Sequence, residues 1–247
     1  MTSRWWRRIQ RIAYQFNLDR LADVHKTDKG GGHGYTKAYR YFLRPYKFRP
    51  VRLLEIGVGG KGPTDGGASL RMWKDYFPFG KIYALDLFDK SPLEEPRIRI
   101  FQGDQADPEA LKRVTAESGD LDIIIDDGSH CNDHVIRTFE LLFPCLKLGG
   151  LYFVEDAQTS YWPRYGGSSE ALQKALTLMN YFKHKVDSIH YPELILECPR
   201  EPDIYDKHIV GLHFFRGLIV IEKGDNSRPS TLIVDHKTPA NWLMLWM

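Results

Sequence analysis

Short apolar runs that alternate with longer helical patterns restrict the fold of this chain more than any other feature. The runs at residues 51–56, 81–86, 98–101, 121–126 and 151–155 are typical of buried strands. Helical patterns lie between them, near residues 67–77, 107–117 and 131–146. This alternation predicts a mostly parallel sheet with helices on both faces.

The second half of the chain adds an edge to this sheet. Residues 168–186 form a further helical pattern, and residues 192–202 form an irregular loop. Apolar runs at 209–215 and 218–222 are separated by Arg216-Gly217, which predicts a hairpin. We therefore predict one α/β domain over residues 1–247, with a Rossmann-like, doubly wound, mostly parallel seven-stranded sheet and an antiparallel edge hairpin.

The composition argues against several classes of protein. With 34 Lys and Arg against 32 Asp and Glu, the net charge is too small to predict nucleic-acid binding. The cysteines Cys131, Cys145 and Cys198 lack the spacing of a zinc site and are typical of a reducing compartment. No apolar run reaches the roughly 18 residues of a membrane span, and no secretory segment is present. We expect a cytoplasmic protein without a membrane span.

The two ends of the chain carry apolar side chains that need a partner. Residues 1–26 begin as a basic amphipathic helical extension, which we expect to pack on its own domain or on a partner subunit. The tail at 242–247 is apolar, and we expect it to pack on the body or at a subunit interface.

A glycine-rich turn follows the first predicted strand. Glycine at 57 and 59 lets the backbone approach a ligand that a Cβ would repel. Gly57, Gly59 and Gly62 also have the spacing of a dinucleotide-binding turn, so a nicotinamide enzyme is an open alternative. The loop continues through residues 63–67 before a helix can start, which favours S-adenosylmethionine over a pyrophosphate.

Acids that follow successive strands suit the parts of S-adenosylmethionine. Asp86 is placed to bind the ribose hydroxyls, and Asp104 with Gln105 is placed to accept from the adenine amino group. Ser69 and the stretch from Lys29 to Tyr35 are expected to meet the amino-acid end. The predicted cofactor site comprises Lys29, Tyr35, Glu55, Gly57, Gly59, Ser69, Asp86, Asp104, Gln105 and Asp127.

A second acidic group predicts a metal. Because the carboxyl ends of adjacent parallel strands face one crevice, Asp127, Glu155 and Asp156 can converge there. A hard divalent cation such as Mg²⁺ removes the cost of clustering these acids. His130 is placed to take a proton from an acceptor hydroxyl, and His134 is the second choice for this base. Aromatic side chains within residues 159–167 are expected to stack on a sugar ring.

These motifs resemble a known group of enzymes. The segments EIGVGG at 55–60, IDDGSH at 125–130 and VED at 154–156, followed by YWP at 161–163, resemble class I methyltransferases that act on sugar hydroxyls, including macrolide-sugar O-methyltransferases of the mycinamicin type. The resemblance covers about residues 27–224. The short chain and the stretch at 29–35 are also similar to the mycobacterial 1-O-methyltransferases of methylmannose polysaccharide synthesis.

The resemblance implies a metal-dependent methyl transfer to a sugar or oligosaccharide. It implies metal ligation by Asp127, Glu155 and Asp156, a base role for His130, and a homo-oligomer, which we take to be a dimer. A catechol-type or other small-molecule O-methyltransferase is the first alternative, although that family has Asp-Asn where this chain has Glu155-Asp156. A dehydrogenase and a non-catalytic adenosyl-binding module are the others.

Overall fold

The computed structural model describes residues 17–170, 172–173, 176–198 and 200–237. The strands are β1 (Arg52–Ile56), β2 (Lys81–Asp86), β3 (Ile98–Gln102), β4 (Leu121–Asp126), β5 (Leu146–Glu155), β6 (Ile209–Phe215) and β7 (Leu218–Lys223). The α-helices are α1 (Leu18–His25), α2 (Thr36–Leu43), α3 (Ala68–Tyr76), α4 (Pro108–Ser118), α5 (Asn132–Leu142), α6 (Leu178–His184), α7 (Val186–Ile189) and α8 (Ile204–His208). Short 3₁₀ helices lie at Arg44–Tyr46, Ser91–Leu93, Phe143–Cys145, Ala157–Tyr161, Pro163–Tyr165 and Tyr191–Glu193.

The described strands form one sheet in the order β3-β2-β1-β4-β5-β7-β6. The pairs from β3 to β5 are parallel, and β7 pairs antiparallel with both β5 and β6. This confirms the predicted doubly wound sheet and its edge hairpin. The strand order reverses between β1 and β4, so their carboxyl ends open a crevice at which such sheets bind ligands.

Both faces of the sheet are buried by helices. Leu53 of β1 belongs to one core cluster with Trp73 of α3, whereas the next residue, Leu54, belongs to the opposite cluster with Phe139 of α5. Successive strand residues point to opposite faces. A strand that is covered on both sides therefore appears in the sequence as a continuous apolar run.

Helix α1 is the described part of the predicted N-terminal extension. The side chain of Asn17 caps it by accepting from the Arg20 amide at 3.1 Å. Leu18 and Leu21 are buried in the core cluster of α3, and His25 contacts Asp75 of α3 at 2.7 Å. Residues 1–16 and the apolar tail at 242–247 lie outside the described residues. No helix among the described residues is both long and apolar enough to cross a bilayer.

The helix predicted at residues 131–146 is shorter than expected, and the strand after it is longer. Helix α5 ends at Leu142, because Pro144 cannot continue it and a 3₁₀ turn follows. Strand β5 begins at Leu146 rather than at residue 151. Gly149-Gly150 is a pair typical of a helix end, but Gly149 lies inside β5 with φ of +77°, where the pairing with β4 is irregular.

The helix predicted at residues 168–186 was also placed too early. The described residues between 168 and 177 are not helical, and α6 begins at Leu178 because the Thr177 side chain accepts from the Asn180 amide at 3.3 Å. Helix α8 was not predicted. It begins with a capping box in which Asp203 and Asp206 each accept from the other's backbone amide.

Candidate active site

A cleft of about 760 Å³ lies at the carboxyl ends of the parallel strands. Its walls come from the loops after β1, β2, β3 and β4, from Asp156 after β5, and from residues 26–28 before α2. Part of the predicted cofactor site lines this cleft, namely Gly57, Gly59, Ser69, Asp86, Asp104, Gln105 and Asp127. His130 and the second-choice base His134 line it as well.

The glycine loop, residues 57–67, forms the wall above β1. Gly57 has φ of +91°, and a Cβ at this position would collide with the carbonyl oxygen of Asp127. We predicted that glycine is needed here so that the backbone can approach a ligand. In the structure, the missing Cβ also lets β1 and β4 end side by side. Helix α3 begins only at Ala68, as expected from the length of the loop.

The acids after β2 and β3 have different surroundings. Asp86 is buried and accepts from the amides of Val58 and Phe88 at 2.8 and 2.9 Å, so its carboxylate ties the glycine loop to β2. Asp104 is exposed at the rim of the cleft. Its carboxylate accepts from the Ala106 amide at 2.8 Å.

Gln105 contacts protein groups at both ends of its amide. Its Oε1 accepts from the Ser129 amide at 2.6 Å. Its Nε2 donates to Asp126 Oδ1 and to Thr138 Oγ1, each at 3.1 Å. Gln105 thus holds the turn that carries Ser129 and His130. Its oxygen can accept a second bond, so the predicted contact with the adenine amino group stays a prediction.

Asp127, His130 and Asp156 form a candidate metal centre. Each offers one ligand atom, and these atoms lie within 4.8 Å of one another. His130 and Asp156 have φ of +56° and +51°, a conformation that is uncommon for residues other than glycine. Such strained backbones are concentrated at functional sites. Carboxylate oxygens with one imidazole nitrogen are a donor set that suits a divalent cation.

Glu155 was predicted as a third metal ligand, but its carboxylate lies outside this group. It accepts from Lys29 Nζ at 2.7 Å and from the Tyr39 hydroxyl. The same Lys29 ammonium lies 2.6 Å from Asp127 Oδ2 and 3.1 Å from Glu55 Oε1. Lys29 therefore joins the ends of β1, β4 and β5 through one buried cation.

Lys29, Tyr35 and Glu55 were predicted to contact the cofactor, but they lie behind the cleft wall. Lys29 and Glu55 are fully buried in the cluster just described. The Tyr35 hydroxyl donates to Asp156 Oδ1 at 2.8 Å. These side chains thus position the acids of the candidate metal centre and do not line the cleft themselves.

The electrostatics of this cluster follow from burial and pairing. Burial lowers the pKa of Lys29, but Asp127, Glu155 and Glu55 outweigh it and raise that pKa well above the usual value. Burial raises the pKa of Glu55 and of Glu155, although Lys29 opposes the change. The ammonium is therefore charged, and its buried partners are reluctant to ionise together.

Asp156 behaves differently from these acids. Burial raises its pKa, but the hydrogen bonds from Gln158 and Tyr35 and the nearby imidazoles of His130 and His33 lower it by more, so the net pKa is lowered. Its Oδ2 lies 3.6 Å from His130 Nε2. An ionised Asp156 is thus available beside the candidate base.

Sequence reasoning missed three side chains around the cleft. Tyr39 lies on the buried face of α2 and appears in the sequence as an ordinary core residue. His33 lies 3.4 Å from Asp156 Oδ1, within the stretch from Lys29 to Tyr35 that we expected to meet the cofactor, but we did not single out its imidazole. Lys90 is buried beneath the glycine loop. A lysine in a polar segment gives no signal that distinguishes it from a surface residue.

The fold has counterparts among solved structures. The MycE methyltransferase from the mycinamycin biosynthetic pathway, solved in complex with Mg and SAH, superposes on 94% of this chain with a TM-score of 0.86 and 42% sequence identity. The chain has the class I methyltransferase fold. This chain covers 60% of the MycE chain.

Curated relatives of this class I methyltransferase-fold chain are O-methyltransferases. Demethylmacrocin O-methyltransferase of Streptomyces fradiae is 46% identical over 213 residues, which are 85% of this chain and 54% of the relative. The 8-demethyl-8-(2-methoxy-alpha-L-rhamnosyl)-tetracenomycin-C 3'-O-methyltransferase of Streptomyces olivaceus is 43% identical over 213 residues, 85% of this chain and 55% of the relative. The chain thus spans about half the length of these relatives. No family model matches it.

Proposed function

We propose that this chain is an S-adenosylmethionine- and Mg²⁺-dependent O-methyltransferase that acts on a sugar hydroxyl of a glycosylated natural product. The observation that carries the proposal is the convergence of Asp127, His130 and Asp156 in the cleft that the glycine loop and Asp86 also line. A cation site and a base therefore lie beside the pocket for the cofactor. The curated relatives support the same chemistry by their activities.

The cofactor pocket is proposed at the β1, β2 and β3 side of the cleft. Asp86 would hold the ribose hydroxyls, Asp104 would lie near the adenine, and Ser69 would meet the amino-acid end. Acidic walls suit a ligand that carries a sulfonium and an amine, and they disfavour a pyrophosphate. The long loop before α3 also disfavours a dinucleotide, because no helix N-terminus follows the first turn.

Asp127 and Asp156 would hold Mg²⁺, because their carboxylate oxygens are the ligands that this ion prefers. The imidazole of His130, the third member of the cluster, would not bind the ion and would stay free to accept a proton. Glu155, the third predicted ligand, is held by Lys29 and Tyr39 in this structure, so its part in the metal site stays a prediction. When bound, S-adenosylmethionine would supply a methyl group on a sulfonium leaving group, and Mg²⁺ would acidify and orient the acceptor hydroxyl.

His130 would act as the general base. Its imidazole takes the proton of the acceptor hydroxyl, and the ionised Asp156 at 3.6 Å stabilises the imidazolium that forms. Tyr35 in turn holds Asp156 in place through its hydroxyl. His130, Asp156 and Tyr35 thus form one chain of contacts, from the cleft to the side chains behind its wall.

The acceptor is proposed to be the sugar of a glycosylated polyketide. The relatives named above support this class, whereas they give no support to a mannose polysaccharide, the other acceptor that the resemblance implied. Trp162, 48% exposed, and Tyr165 have ring centroids 6.0 Å apart beyond β5, and they remain our proposed stacking surface for a sugar ring. A homodimer in the cytoplasm also remains a proposal.

The proposal is tested by methyl transfer to a panel of acceptors. Radiolabelled S-adenosylmethionine is offered with macrolide glycosides, rhamnosides, mannosides, glucosides and a catechol, in Mg²⁺ and after treatment with EDTA. We expect transfer to the glycosides, loss of activity in EDTA and recovery in Mg²⁺. Thermal shifts with S-adenosylhomocysteine and with NADH run alongside, since a ligand of the native state raises the melting temperature. Stabilisation by NADH alone would favour a dehydrogenase.

A further inference from the structure

Lys90 lies in the loop after β2, four residues beyond Asp86, and is only 1% exposed. Its Nζ donates to the carbonyl oxygens of Gly59, Gly60, Gly62 and Asp65, at 2.8, 2.9, 2.7 and 3.0 Å. Among the residues that the structure describes, this ammonium forms no ion pair with a carboxylate. Its charge is therefore compensated by backbone dipoles, and all four belong to the glycine loop.

Two properties of the glycine loop explain why it needs the hydrogen bonds from Lys90. Gly59, Gly60 and Gly66 have φ of +88°, +67° and +88°, and glycine loses more conformational freedom on ordering than any other residue. The four carbonyl oxygens that surround Lys90 Nζ also carry partial negative charge, so they repel one another unless a cation lies between them. Rings of backbone carbonyls hold K⁺ in the same way, by replacing the water around the ion.

We propose that Lys90 is a positioning residue for the cofactor: its ammonium is a tethered monovalent cation that holds the glycine loop in the shape that receives S-adenosylmethionine. The carbonyls of the loop face Lys90, while Gly59, Gly60 and Gly66 line the cleft on the other side. An ordered loop has already lost its conformational freedom before the ligand arrives, so the ligand binds more tightly. The inference rests on the proposed function in one respect, since it takes this cleft to be the cofactor site.

The four carbonyl oxygens around Lys90 Nζ, which we call the carbonyl cage, allow a specific test. A free cation should replace the ammonium in this cage, but it should not replace a lysine that only supports the fold. Lys90→Ala removes the ammonium and leaves room for a free ion. Its affinity for S-adenosylhomocysteine is measured by calorimetry in sodium, potassium and ammonium chloride at equal ionic strength. We expect roughly tenfold weaker binding or more in sodium, equivalent to about 1.4 kcal/mol, and recovery of most of this loss in ammonium or potassium.

Lys223 provides the matched control. It is 6% exposed and donates to the carbonyls of Phe143 and Pro144 at 2.8 and 3.1 Å. It lies near the amino-terminal part of β5, whereas the glycine loop follows the carboxyl end of β1. Lys223→Ala removes a similarly buried ammonium, and we expect it to bind the ligand like the wild type in every salt. Equal losses in the two variants, or a Lys90→Ala loss that no cation changes, would overturn the inference.

Hydrogen exchange of the loop amides separates this inference from the proposed function. We expect residues 58–66 to exchange faster in Lys90→Ala than in the wild type, and ammonium to slow them again without any cofactor. A wild type that does not bind S-adenosylhomocysteine contradicts the proposed function, and the exchange result then still decides the role of Lys90. If Lys90→Ala does not fold in sodium, recovery of folding in ammonium supports the cage, and failure in all three salts refutes it.

Discussion

The substitution Lys29→Met tests the electrostatic account of the site. Methionine keeps much of the side-chain length but removes the ammonium that lies 2.6, 2.7 and 3.1 Å from Asp127, Glu155 and Glu55. The acids then face one another without a cation, and two of them are fully buried. We expect lower stability because the acids lose their cation. The protein should still fold, because the carboxylates can bind protons and so avoid facing one another as charges.

The magnitude follows from the burial of the cluster. Removing one partner of a buried ion pair costs about 3–5 kcal/mol. Because the Asp127 side chain is 25% exposed, water relieves part of this cost. We therefore expect a loss near the lower end, about 3 kcal/mol. In a domain of this size that corresponds to a melting temperature roughly 6–12 °C lower.

The loss depends on pH, and its sign follows from the acids. Burial already raises the pKa of Glu55 and Glu155 in the folded state, so their stabilising contribution is present at acid pH and lost as the pH rises through the folded pKa. Without Lys29 these pKa values rise further. The difference in stability between Lys29→Met and the wild type should therefore grow from mildly acidic to mildly alkaline pH.

Urea unfolding at a series of pH values measures this difference. Lys112→Met is the control, since Lys112 is 76% exposed and pairs with Glu109 at 3.8 Å on the surface of α4. We expect it to change stability by less than about 0.5 kcal/mol. The reasoning fails if Lys29→Met unfolds at the same urea concentration as this control, or if its deficit shrinks as the pH rises.

Three further predictions follow. His130→Ala should reduce the rate of methyl transfer by about 10²–10⁴-fold, while calorimetry shows little change in affinity for S-adenosylhomocysteine; an unchanged rate would place the base elsewhere. Burial raises the pKa of Asp126 to about 7, so the wild type should lose up to about 4 kcal/mol of stability as the pH rises from about 4, the usual pKa of an aspartate, to about 7. Asp126→Asn should have a flatter profile in urea titrations, and parallel profiles would contradict this. Gly57→Ala should lose about 2 kcal/mol or more, because its Cβ meets a carbonyl, and more than the control Gly149→Ala, which has positive φ but open space; equal losses would show that only the backbone angle matters.

The sequence was sufficient for most of the sheet because burial on both faces leaves a simple pattern. Strands such as β1 and β4 are short, mostly apolar runs that end next to glycine or in an acid, and their length and their flanking residues favoured strands over buried helices. The start of β5 was missed because Gly149-Gly150 is typical of a helix end, and only the partner strand reveals a bulge there. Helix α6 was misplaced because apolar spacing continues through a segment whose start is set by the cap at Thr177.

The candidate site was predictable in position but not in the direction of its side chains. Parallel topology brings the ends of β4 and β5 together, so acids after those strands must be neighbours. Asp156 turns toward the cleft because its backbone is left-handed, whereas Glu155 is the last residue of β5 and points behind the wall. The partner of Glu155 is Lys29, which is 126 residues distant in the chain. A contact of that range leaves no local pattern.

Two buried ammonium groups, at Lys29 and Lys90, hold the walls of the cleft in place, and neither belongs to the motifs at 55–60, 125–130 and 154–156. One lies behind the acids and the other beneath the glycine loop, and neither lines the cleft. Each fixes groups that would repel one another if left alone, carboxylates in the first case and carbonyl dipoles in the second. A site held in this way has its shape before any ligand arrives, so binding energy is not needed to assemble it. The two lysines should then be separable by experiment: loss of Lys29 should change stability with pH, and loss of Lys90 should change cofactor affinity with the cation in the buffer.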